Sequence, residues 1–126
     1  MLRIDGVSEN VCARTISAHK RLVMTGGTSG IGRRVLERLL AEYQNWTIIL
    51  LARQSARSRE LGGMRRCERL TVIDADLASL KSVDRACDDV IRSLGSHGID
   101  ALALNAGIQT VSTTQHPQTA LSLLSR

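Results

Sequence analysis

Residues Met24–Val35 read MTGGTSGIGRRV. An apolar run, RLVMTG (Arg21–Gly26), enters this stretch of glycine and small hydroxyl residues. Beyond it, Ile31, Val35, Leu36, Leu39, Leu40 and Tyr43 recur at steps that share one helix face. The stretch is therefore a tight turn from a buried strand into a helix. Gly26 takes positive φ there at little cost. Gly30 leaves room for an anion at the backbone, and Gly32 lets the helix lie close on a sheet. Free N–H groups near Gly30–Gly32 then face a phosphate, helped by the helix dipole, with Thr28 and Ser29 as hydroxyl donors. No Gly-Lys-Ser or Gly-Lys-Thr follows, which excludes a P-loop. The turn reads as a site for a dinucleotide pyrophosphate.

The flanking sequence supplies the context such a turn needs. WTIILLA (Trp46–Ala52) is β-branched and continuous, a strand buried on both faces. Ser55–Leu61 predicts a short helix, stopped by Gly62 and Gly63. RLTVIDAD (Arg69–Asp76) is a third strand. Leu80, Val83, Cys87, Val90, Ile91 and Leu94 follow at helical spacing, with Asp76 or Ser79 as the starting cap and Gly95 as the stop. IDALALNAG (Ile99–Gly107) is a fourth strand, and another helix is expected after Pro117. Strands alternating with helices imply parallel βαβ units with right-handed crossovers.

Composition narrows the class. The chain has 126 residues, 43% apolar and 23% charged, as a soluble globular domain does. No stretch approaches the roughly 20 apolar residues of a membrane span. The first 20 residues lack a long apolar core, and Asp5 and Glu9 do not suit a mitochondrial leader, so a cytoplasmic protein is expected. The net charge is +5, and Arg53, Arg57, Arg59, Arg65, Arg66 and Arg69 cluster. They form either a solvated basic face or an anion site. No aromatic residue lies among them for base stacking, which argues against single-stranded nucleic acid. Cys12, Cys67 and Cys87 show no CxxC spacing and are expected as free thiols, Cys87 packing as a small apolar residue. His19, His97 and His116 lack metal-ligand spacing.

Three signatures in register resemble the short-chain dehydrogenase/reductase family. They are TGxxxGxG (Thr25, Gly26, Gly30, Gly32), the acid Asp76 closing the third strand, and Asn105–Gly107, NAG, closing the fourth. The resemblance implies an α/β Rossmann-type doubly wound parallel sheet, truncated here after about four strands. Residues 1–20 are then an N-terminal extension, and 21–126 a partial NAD(P)-binding domain. By the same resemblance Asp76, followed by Leu77, contacts the adenine amino group, and Asn105, Ala106 and Gly107 line the cofactor's ribose side. Ile31 belongs to the glycine turn and joins the cofactor set. Family members that prefer NAD carry a carboxylate at the end of the second strand. This chain has Ala52 and then Arg53, so NADP is favoured over NAD, with Arg53 pairing to the 2′-phosphate and Arg57 and Arg33 as secondary candidates.

The family's chemistry uses a serine and a Tyr-x-x-x-Lys pair, the lysine lowering the tyrosine's pKa. Tyr43 is the only tyrosine, Thr47 stands four residues on, and the only lysines are Lys20 and Lys81. The expected function is thus the NADP-binding portion of an oxidoreductase acting on a carbonyl or alcohol. No catalytic residue is assigned, and the small-molecule substrate belongs to a full-length form. The alternative is a non-catalytic nucleotide-sensing or partner-binding module. No nucleic-acid or membrane partner is expected. The fourth strand, left at a sheet edge, is a place where a partner chain would pair.

Overall fold

The computed structural model describes residues 20–54 and 61–108. Its elements are β1 (Lys20–Thr25), α1 (Gly30–Glu42), β2 (Trp46–Ala52), a 3-10 turn (Gly62–Arg66), β3 (Leu70–Asp74), α2 (Leu80–Leu94) and β4 (Ala101–Leu104). All strand pairings are parallel, in the order β3-β2-β1-β4. The helix expected at Ser55–Leu61 falls, except for Leu61, outside the described residues, and the glycines expected to stop it open the 3-10 turn instead.

Alternation along β1 and β2 sends side chains to two cores. Leu22, Met24, Ile48 and Leu50 face Leu36 and Leu40 of α1, Met64 of the 3-10 turn and Leu61 just before it. Val23, Ile49 and Ile73 face Ala86, Val90 and Leu94 of α2. The sheet is therefore covered on both sides, which is why its central strands read as unbroken apolar runs. β4 stops at Leu104, opposite Thr25, because β1 offers no partner beyond. Among the described residues no strand pairs with its other side, and Leu102 and Leu104 are 59% and 75% exposed. Asp100 pins its entry: its Oδ2 accepts from Arg21 N at 2.6 Å, and its own N–H donates to Arg21 O at 2.9 Å.

The helical faces are narrower than the apolar periodicity implies. On α1 only the Gly32–Leu36–Leu40 line is fully covered, together with Glu37, while Ile31, Val35 and Tyr43 are exposed. On α2 the small Ala86 takes the core position, and Cys87 is exposed and free rather than packed. One short strand layer reaches only the middle of each stripe. Cys67 is buried in the core, and Cys12 lies outside the described residues.

Arg69 is not part of a solvated basic face but is 1% exposed. Its Nη1 donates to Tyr43 O at 2.8 Å and to Trp46 O at 3.2 Å, and its Nη2 donates to Leu40 O. The guanidinium thus occupies the end of α1, where carbonyls lack intrahelical partners, and ties it to the start of β2. Burial lowers its pKa from the ordinary arginine value.

At the opposite end of α1 the glycines bring three elements into contact. Gly26 has φ +72° and Gly30 φ +59°. A Cβ on Gly32 would lie 1.9 Å from Gly26 O and 2.6 Å from Asn105 Nδ2. A Cβ on Gly26 would lie 2.7 Å from Ala106 N. Helix start, turn and β4 end therefore meet backbone to backbone.

Two predictions test these anchors. Arg69→Met is expected to lower unfolding free energy by about 3 kcal/mol, since buried carbonyls lose charged donors. Arg69→Lys is expected to recover only part of this, for want of a planar fork; urea denaturation measures both. Gly32→Ala is expected to force α1 off the turn, cost about 2 kcal/mol and abolish amide-exchange protection at Ala106. Gly30→Ala meets no neighbouring atom and is expected to keep that protection while costing about 1 kcal/mol of left-handed strain.

Candidate cofactor site

The carboxyl ends of all four parallel strands point to one edge of the sheet, and the turn at Gly26–Ser29 lies there. β1 has β2 on one side and β4 on the other. The connections leave toward opposite faces, through α1 and α2. The gap between the ends of β1 and β4 is a topological switch point, where open α/β sheets form a crevice.

Hydrogen bonds close the walls of this crevice. Asn105 Nδ2 donates to Gly26 O at 3.3 Å, and Ala106 N donates to Thr25 Oγ1 at 3.1 Å. Thr25 is 4% exposed, so its hydroxyl serves the joint between strands. Thr28 is half-buried; Ser29, Gly30 and Ile31 are exposed. Ser29 is the N-cap of α1 but makes no side-chain capping bond, and the first turn carries no acid. The leading amides of the helix are therefore not satisfied by its own cap. With the dipole behind them they make an electropositive opening. Ile31, 80% exposed, lies on that first turn.

Asp76 and Leu77 stand beyond the end of β3, both exposed. Asp76 Oδ1 accepts from Ala78 N at 3.0 Å, and Asp76 N donates to Ser82 Oγ at 2.9 Å. Ser79 Oγ in turn accepts from Ser82 N at 3.3 Å. Of the two caps proposed for α2, Ser79 is the N-cap, while Asp76 holds the turn before it. The sequence reading missed Ser82, whose signal was its place three residues after Ser79.

Arg53 is exposed, directly after β2. Arg33 is held along α1 by Glu37, with Nε 3.1 Å from Oε1. Arg57 lies outside the described residues. Asn105, Ala106 and Gly107 are exposed on the β4 side. The structure thus sets Thr25, Gly26, Gly32, Asn105 and Ala106 in mutual contact. Arg53 and Asp76 sit on the same sheet edge but on neighbouring strand ends. Among the described residues no cluster of His, Cys, Asp and Glu suits a metal, and no helix is long and apolar enough to cross a membrane.

Similarity to known proteins agrees with this geometry. Oxidoreductase AN1596 of Emericella nidulans is 32% identical over 74 residues, 56% of this chain and 22% of that protein. Short-chain dehydrogenase/reductase GME11359 of Pestalotiopsis microspora is 28% identical over 98 residues, 75% of this chain and 34% of that one. The chain thus matches about a third or less of each relative's length. Among solved structures, the NADPH-bound carbonyl reductase from chicken fatty liver superposes with a TM-score of 0.66 at 20% identity, covering 96% of this chain and 46% of the enzyme. Carbonyl reductase Sniffer of D. melanogaster gives 0.65 at 21%, covering 84% and 44%. These two show the same fold. The family model for short chain dehydrogenase matches residues 20–122, so the chain that builds this crevice belongs to the short-chain dehydrogenase/reductase family.

Proposed function

We propose that the chain binds NADP(H) in the crevice at the β1–β4 switch point, as the cofactor portion of an oxidoreductase acting on a carbonyl or alcohol. One observation carries this: the first turn of α1 is left uncapped and open at Gly30, while Asn105 and Gly32 lock the turn in place. A helix start so held presents preorganised N–H groups to an anion. Residues Gly26–Gly32 would hold the pyrophosphate. Asp76, with one carboxylate oxygen engaged by Ala78, would take the adenine amine, next to Leu77. Asn105–Gly107 would line the ribose. Arg53 would select the 2′-phosphate, since no acid stands at Ala52 to repel it. The NADPH named with the carbonyl reductase neighbour supports this preference.

When bound, a nicotinamide supplies or accepts hydride. This chain's own residues bind and orient; none of those described is placed to move the substrate proton. Tyr43, the only tyrosine, caps the far end of α1, at the opposite edge of the sheet from the crevice. A nucleotide-sensing or partner-binding role without catalysis is the second reading.

NADPH is expected to raise the melting temperature more than NADH at equal concentration, because a ligand selective for the folded state stabilises it by mass action. Arg53→Asp is expected to cut NADPH affinity by about tenfold and to narrow or reverse the preference. Equal responses to both cofactors in the unsubstituted chain would overturn the Arg53 assignment, and no response to either would overturn the site. The 126-residue chain is expected to show no carbonyl turnover under the same conditions, which NADPH absorbance follows.

A further inference from the structure

We infer that Asp74 is a positioning residue for cofactor selection, acting through the backbone on either side of Arg53; this rests on the reading that Arg53 meets the 2′-phosphate. Register pairs Asp74 with Ala52, the last residue of β2. The final rung of that ladder is Ala75 N donating to Ala52 O at 3.1 Å. Past it a side chain takes over the ladder: Gln54 N donates to the carboxylate Oδ1 of Asp74 at 2.9 Å. Arg53 is therefore bracketed by two bonds from consecutive residues, Asp74 at the end of β3 and Ala75 just after it. One restrains the carbonyl before it, the other the amide after it. An exposed residue just beyond a strand end is otherwise free to fray.

A carboxylate beside a phosphate subsite repels by charge, so its value there is as an acceptor and not as an anion. Two effects of Asp74 then separate. Its oxygen holds Arg53 in place, and its charge opposes the ligand. Asparagine keeps the oxygen and removes the charge; alanine removes both.

The test is fluorescence titration of the full chain with NADPH and with NADH, reading the ratio of the two dissociation constants. Asp74→Asn is expected to keep the NADPH preference, with NADPH bound as tightly or more tightly. Asp74→Ala is expected to reduce the preference at least threefold, with NADH affinity within twofold of the unsubstituted chain. If Asp74→Ala does not fold, Asp74→Val suits the strand end and lacks the acceptor equally. An unchanged preference in Asp74→Ala or Asp74→Val, or an equal loss in Asp74→Asn, overturns the inference. Arg53→Ala separates the two levels. If it abolishes the preference while Asp74→Ala does not, Asp74 is excluded and the Arg53 reading stands. If Arg53→Ala leaves the preference intact, the reading beneath fails and the inference with it.

Discussion

The approach of one helix to one turn governs this molecule. Gly32 lies where a methyl group would strike the carbonyl of Gly26, and the same carbonyl accepts from Asn105. Without that contact α1 would stand away from the sheet and the end of β4 would lose its hold. The electropositive opening of α1 would then face open solvent instead of a crevice. A single missing side chain thus couples packing, strand order and anion chemistry.

The far end of α1 solves the complementary problem. Helices leave carbonyls unpaired where they stop, and here the stop is buried beside the start of β2. Arg69, arriving from the lead-in to β3, meets the carbonyls of Leu40, Tyr43 and Trp46 with one planar group. A charge is retained in the interior because its planar donors match the carbonyls gathered at the end of the helix. α1 is consequently anchored at both termini, by absence of bulk at one and by a cation at the other.

Much of this was legible from residue order. Strand and helix alternation and the glycine turn gave the four strands in order, although β3 and β4 end at Asp74 and Leu104, short of the Asp76 and Gly107 expected from the sequence. What could not be read was anything that depends on register or on distant neighbours. Asp74 acts only because β2 and β3 pair with Ala52 opposite it. Arg69 looked like one more member of a basic cluster, since nothing local distinguishes a buried arginine from an exposed one. Ile91 and Cys87 carry helical periodicity as clear as that of Val90, yet only Val90 is buried, because one layer of strands covers a limited arc of the helix.

The joint between Gly26 and Asn105 spans 79 residues of chain. Its formation closes a loop encompassing most of the described fold, at a cost in chain entropy that local helices do not bear. β1 waits for β4 across that interval, whereas β2 comes to it through a single helix. High contact order of this kind slows folding. Topology separates the two kinds of contact: β1, α1 and β2 meet within a short stretch of chain, whereas the crevice between β1 and β4 needs the distant joint.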